Sequence, residues 1–309
     1  MEKWSAVAQV VAPIFAAVLI GVWARRKELL THREVKGMQQ YVMNFGLPCV
    51  LFNSCLSATM NAASVVSFVM VFTTILSSVL FAFLVLRKKM PYHNLPMMFA
   101  AQESGMLGIP LYMTLFGAAH VFKMGVLDLA QSLFCIVTIA ILTADTGENP
   151  TPASIIRQVL RSPLLLLSLA GLLLNLSGAK GLLEQVGVMP VITEVTGFIG
   201  QPVSALMLFS VGFNLSLSEG NREAIFRLCG IHFVLLAAAG LIMQGILCLL
   251  PGVEAETRWA ILLYTTLPGS YIATTLGRTR EEEEMASGVC SLLTIVSLVV
   301  FCIIAVCVA

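Results

Sequence analysis

One acid sits where acids are rare: Glu103, in an apolar stretch reading Gln102-Glu103-Ser104-Gly105-Met106-Leu107-Gly108-Ile109-Pro110-Leu111-Tyr112. A charged acid at the centre of a membrane helix costs roughly 2.5–3.5 kcal/mol on the insertion scale, so something must offset it. Titration of a desolvated carboxyl would couple the site to a proton, and direct coordination would couple it to Na⁺. The structural alternatives are a protonated carboxyl bonded to a neighbouring helix, or a group at the edge of a cytoplasmic vestibule. Gly105, Gly108 and Pro110 interrupt helix here, because proline removes a donor and clashes with the preceding turn. Backbone groups freed at membrane depth are tolerated only where protein or a water-filled cavity satisfies them. Thr266, Pro268, Gly269 and Ser270 repeat the device within Tyr264-Thr265-Thr266-Leu267-Pro268-Gly269-Ser270-Tyr271. If the two broken helices cross, half-helix N-termini offer N–H groups and partial positive charge to an anion, for which a carboxylate is the natural fit. The alternative is a pair of simple kinks. Asp128, Gln131 and Ser132 fall at i, i+3 and i+4 on one helix face, either as solute or ion contacts or as an interhelical hydrogen-bond pad. Asn44 and Asn53, with Gln201 and Asn214, are open to the same two readings.

Membrane helices must position these groups. The chain is 58% hydrophobic and 11% charged, against about 25% charged in soluble domains. Ten apolar stretches, at about 5–24, 38–57, 64–86, 96–116, 121–143, 163–178, 190–215, 229–250, 258–277 and 285–308, are each long enough to cross a core of about 30 Å. They are continuously apolar, which excludes the alternation of barrel strands. Arg25-Arg26-Lys27 follows the first stretch, where a cleaved signal would carry its positive charge before it. Fourteen of the 18 basic residues fall in alternate loops, and only Lys3, Lys123, Lys180 and Arg258 in the others. The positive-inside rule then puts both termini outside a multi-pass plasma-membrane protein.

The chain also reads as duplicated. Pro13, Pro48 and Pro110 recur as Pro163, Pro202 and Pro268, at offsets of 150, 154 and 158. Pro13 precedes Gly21, and Pro163 precedes Gly171, by the same eight residues. Five spans per copy make the second enter from the opposite side, so the repeats are inverted. The expected organisation is a first repeat over 1–145, a cytoplasmic linker over 146–162 and a second repeat over 163–309.

Other chemistries find little footing. The eight cysteines lie in apolar spans with no CxxC pair, which argues against a disulfide or zinc framework. The four histidines are scattered and suggest no metal site. Walker A and HExxH sequences are absent and one aspartate lies inside a span, which argues against an ATPase, a metalloprotease or an aspartyl protease. Nothing points to nucleic acid. Glu281 to Glu284 reads as a solvated helix start.

Several motifs, in order, carry a resemblance to a known family: Pro13 with Gly21, Asn44 with Leu47-Pro48, Gly108-Ile109-Pro110 with Gly117, Asp128, Ser162-Pro163 with Gly171, Pro202 with Gly212, and Leu267-Pro268. Over nearly its whole length the chain resembles the auxin efflux carrier family in its compact bacterial form, with an outline similar to the bile-acid and sodium symporters. The resemblance implies an all-α membrane protein of ten helices in two inverted five-helix repeats. It also implies crossed broken helices four and nine, and elevator-type transport of an organic anion. Spans one, two, six and seven would be a scaffold, dimeric in many such proteins, and the crossed spans the carrier. The family often has asparagine where this chain has Glu103, five residues before the glycine of Gly-x-Pro, and again at Gln131. An acid at the first position repels a carboxylate unless protonated or ion-paired; it marks proton coupling, or a neutral or cationic substrate. The expectation is a secondary transporter of a small organic solute, an organic anion first, coupled to H⁺ or Na⁺ with no other cofactor. A homodimer in the lipid bilayer would be its setting. The alternatives are a receptor or regulatory protein on the same fold, separated by absence of flux, and a channel, separated by single-channel currents.

Overall fold

A computed structural model describes residues 2–59, 61–143, 161–215 and 221–308. It is all-α. The helices of the first half are α1 Glu2–Arg26, α2 His32–Tyr41, α3 Leu47–Cys55, α4 Ala62–Phe81, α5 Arg87–Lys89, α6 Leu95–Ala100, α7 Ile109–Phe116 and α8 Val121–Thr143. Those of the second are α9 Pro163–Leu176, α10 Ala179–Gln185, α11 Val188–Gly200, α12 Val203–Asn214, α13 Arg222–Leu249, α14 Ala255–Tyr264, α15 Ile272–Thr275 and α16 Arg280–Val308. The linker expected over 146–162 lies outside the described residues except for Arg161 and Ser162.

Among the described residues, six stretches are long and apolar enough to cross a membrane: Val7–Arg26, Ala62–Lys89, Ala118–Thr143, Val188–Asn214, Arg222–Leu249 and Arg280–Val308. Counting α9 and α10 as one span, bent by 83°, gives a seventh. The expected spans at 38–57, 96–116 and 258–277 are not uninterrupted apolar helices, each for a physical reason. The first is entered through the polar α2, which starts at a Thr31–Glu34 capping box and passes into α3 through a π-helical turn, Val42–Gly46. The other two are broken by extended backbone. Pro13, by contrast, leaves α1 unbroken.

Two seams bring helix backbones together. α1 runs along α12, and α9 along α3. A Cβ built on Gly21 would lie 2.1 Å from Phe209 O, one on Gly212 2.0 Å from Val18 O, and one on Gly171 2.5 Å from Phe52 O. Only glycine permits such an approach, which is how membrane helices gain contact without a hydrophobic drive between them. Gly46 and Gly200 reach across in the same reciprocal way, to Val203 Cγ2 and Val50 Cγ2, both at 2.7 Å.

Glu281 and Glu283 are exposed at the start of α16, as a solvated start requires, but Glu282 is not. Helical periodicity turns it inward with Met285, Ala286 and Val289. It accepts hydrogen bonds from His93 N (2.8 Å) and Arg278 N (2.7 Å), and its carbonyl accepts from Asn94 Nδ2 (3.0 Å). Asn94 Nδ2 also donates to Ala273 O at 2.9 Å, so this network ties the start of α6 to α15.

Candidate functional site

The two interrupted segments meet backbone to backbone. After α6 the chain is extended through Ala101 (φ −153°, ψ 148°) before a π-helical turn, Ser104–Gly108, leads into α7. Gln102 forms an antiparallel bridge with Gly269, in which Glu103 N donates to Pro268 O and Ser270 N to Ala101 O, each at 2.9 Å. A Cβ on Gly269 would sit 2.3 Å from Met98 O, so a side chain there would push the segments apart. Pro110 follows the π-helical turn inside the continuous helical run Ser104–Phe116, where its missing N–H removes one intrahelical bond.

Gln131 completes the pairing from α8. Its Oε1 accepts from Gln102 N (2.7 Å) and its Nε2 donates to Gln102 O (2.9 Å), so the side-chain amide acts as a third peptide group beside the bridge. Nε2 also lies 2.7 Å from Ser104 Oγ and 3.0 Å from Asp128 Oδ1, and Tyr264 OH donates to Oε1 at 2.6 Å. Ser104 Oγ donates to Asp128 Oδ1. Buried Glu103 takes the N–H of Tyr271 on Oε1 at 2.5 Å. Neither Glu103 nor Asp128 is ion-paired among the described residues.

Gln102, Glu103, Ser104, Asp128, Gln131, Pro268, Gly269 and Ser270 therefore converge. A Cβ built on Gly108 would lie 2.7 Å from Leu267 Cδ1, while one on Gly105 would meet Met43 at an ordinary 3.9 Å. Thr266 Oγ1 bonds Leu263 O (2.8 Å) in its own turn. Asn44 stands apart, exposed and bonded to Gln40 O at 2.9 Å. Asn53 accepts from Thr196 Oγ1 at 2.8 Å, an interhelical contact between α3 and α11. Gln201 is exposed. After the second interruption only one turn follows, Ile272–Thr275, and the N–H before it goes to Glu103, so the crossing does not offer two free half-helix N-termini. Among the described residues no group of three or more His, Cys, Asp or Glu could hold a metal.

Sequence reasoning passed over His232 and Tyr264. His232 on α13 is 2% exposed, with Nε2 3.0 Å from the Gln102 amide. With its nitrogen turned toward them, that amide donates to His232 Nε2 at 3.0 Å and to the carbonyls of Leu267 and Pro268, both at 3.2 Å. His232 Nε2 is then the acceptor and Nδ1 carries the proton. The sequence signal for it is a lone ionisable residue inside a membrane-length helix, which scattered spacing among the four histidines does not bring out.

A polar site built on freed backbone among helices of membrane-crossing length is an arrangement that secondary transporters use. Residues 6–154 match a family model described as membrane transport protein, that of the auxin efflux carrier family of membrane transporters. Over that stretch the chain is similar to membrane transport proteins, whose substrate is a solute. No curated protein matches the chain.

Proposed function

We propose that the chain is a secondary active transporter that moves a small organic solute by elevator-type alternating access, coupled to H⁺ or Na⁺ through Glu103 and Asp128. One observation carries this: two carboxyl groups flank one backbone crossing, Asp128 bonded by Ser104 and Glu103 by Tyr271 N, with no cationic side chain paired to either among the described residues. Unmatched charge there is costly, and a transported cation offsets it. Ten helices in two inverted repeats, 1–145 and 163–309, with the linker 146–162 and basic loops in the cytoplasm, are the architecture of this reading. Its support is reciprocity: Gly21 of the first half packs on α12, Gly171 of the second on α3, and Gly46 and Gly200 repeat the exchange. α1, α2–α3, α9 and α11–α12 form the scaffold, with a homodimer in the plasma membrane as its natural setting. An organic anion, the solute class implied by the resemblance, enters this site only with the two carboxyls neutralised by the coupling ion.

The test is flux into proteoliposomes with pH and Na⁺ gradients imposed separately, using labelled mono- and dicarboxylates and amines. Saturable uptake driven by one gradient is expected. Replacement of Glu103 by Gln should abolish ion dependence while keeping the bond from Tyr271 N; unchanged ion dependence in that variant would sink the coupling role.

A further inference from the structure

The second interruption leaves helical bonds unmade, and each half of them finds another partner. In continuous helix Ser270 N would bond Thr266 O, and Tyr271 N would bond Leu267 O. Both N–H groups go instead to the first interrupted segment, Ser270 N to Ala101 O at 2.9 Å and Tyr271 N to Glu103 Oε1 at 2.5 Å. Of the carbonyls, Thr266 O accepts from Ser297 Oγ at 2.5 Å and Pro268 O from Glu103 N at 2.9 Å. Leu267 O is left to the side-chain amide of Gln102, 3.2 Å away, which His232 Nε2 turns toward it. We infer that His232 is a positioning residue of the transport cycle: through the Gln102 amide it keeps Leu267 O occupied, and so keeps Tyr271 N committed to Glu103. The inference deepens the transporter reading and rests on it.

The imidazole is placed for this and for little else. His232 is buried on α13, its ring tilted against Phe99 of α6 with 5.3 Å between centroids. Nδ1 has no hydrogen-bond partner among the described residues, so the proton it carries while Nε2 accepts is a buried donor left unmatched, which costs stability. Leucine or phenylalanine would fill the space against Phe99 without that cost. What imidazole adds is Nε2, 3.0 Å from the Gln102 amide and 3.4 Å from Leu267 O. The opposite orientation of Gln102 is poor, because its oxygen then faces only acceptors and its nitrogen only donors. Gln102 and Glu103 thus divide one helical bond between them, the amide taking its carbonyl and the carboxyl group its N–H. When Glu103 takes up the coupling ion and releases Tyr271 N, that bond re-forms only if the amide also leaves Leu267 O. The hold of His232 on the amide sets how readily it does.

Two measurements on the full chain test this. In nanodiscs, nitrogen NMR of isotope-labelled histidine reads which ring nitrogen carries the proton, the His232 signals being those lost in His232→Gln. The proton is expected on Nδ1, moving to Nε2 in Gln102→Leu, where Leu267 O is the acceptor that stays in reach. A proton on Nε2 in the unaltered protein, or a tautomer indifferent to Gln102→Leu, would overturn the inference. In proteoliposomes, His232→Leu should lower the maximal rate of labelled carboxylate uptake roughly tenfold, with KM changed by less than about twofold. His232→Gln, whose amide oxygen can accept in place of Nε2, should restore most of that rate, and Gln102→Leu should add little to the loss in His232→Leu. Equal losses in the two His232 variants would assign the residue to packing alone and overturn the role, as would additive losses at Gln102 and His232. The two readings fail separately. Flux with the proton on Nε2 keeps the transporter and removes this inference, and the expected tautomers without flux of any solute keep the hold of His232 on Gln102 and remove the transporter.

Discussion

The seams between α1 and α12 and between α9 and α3 differ from the crossing of Gln102 with Gly269 in how the backbone is satisfied. Glycine serves both. In the seams it sits inside intact helices, and only at their ends do side chains reach carbonyls across the seam, Arg25 to Phe213 O and Asn175 to Cys55 O. At the crossing, Gly269 lies in extended chain, and peptide groups of Ala101, Gln102, Glu103, Pro268 and Ser270 bond one another or Gln131. A seam has one arrangement, because sliding would drive Cα against carbonyl. The crossing is built of partners that can be exchanged, since side-chain amide, hydroxyl and carboxyl groups stand in for peptide groups there. Rigid contact suits a scaffold, and replaceable polar contact suits a solute site.

Substitutions can break or sharpen that contrast. The largest effect should come from Gly212→Val, whose Cβ would meet Val18 O at 2.0 Å; overpacking against backbone costs upward of about 3 kcal/mol, and loss of monodisperse protein on size-exclusion chromatography is expected. Gly269→Ala meets Met98 O at 2.3 Å. Here the helices should remain folded by circular dichroism while transport is lost, and collapse of both together would erase the distinction between the regions. Next is Tyr264→Phe, which removes one of the two donors to Gln131 Oε1. A cost of roughly 1 kcal/mol is expected, read as a modest fall in thermal stability with a larger fall in transport rate. The smallest effect lies outside both regions, at the capping box before α2. Thr31 N (2.6 Å) and Thr31 Oγ1 (2.8 Å) donate to Glu34 Oε2, holding that carboxyl below the ordinary glutamate value. A depressed carboxyl contributes stability above the ordinary glutamate range and loses it as pH falls through the lowered value. Thr31→Ala should therefore lower thermal stability slightly at neutral pH, with the difference shrinking below about pH 4.

Much of the site was legible because membrane helices make polar residues conspicuous. Glu103 and Asp128 stood out against apolar surroundings, and Gly108-Ile109-Pro110 and Leu267-Pro268-Gly269 announced the interruptions. Gln131 was placed on the face of Asp128 by its spacing alone. The misreadings share a cause: spacing says which residues share a helix face, but not which neighbour that face meets. Asn44 looked as polar and as membrane-embedded as Gln131, yet it bonds Gln40 on its own helix. His232 is 130 residues from Gln102, and no local pattern links them. Glu282 was lost in an acidic run from which only the turn of α16 singles it out.

Composition and periodicity alone determined that this chain lives in a membrane as helices and that two of its segments must break, because apolar length and proline act locally. Which broken segment pairs with which, which glycines meet a carbonyl, and that Asp128 has no cationic partner among the described residues were decided by tertiary structure. Those facts depend on the relative placement of helices distant in sequence, and that placement follows from how the whole set of surfaces packs.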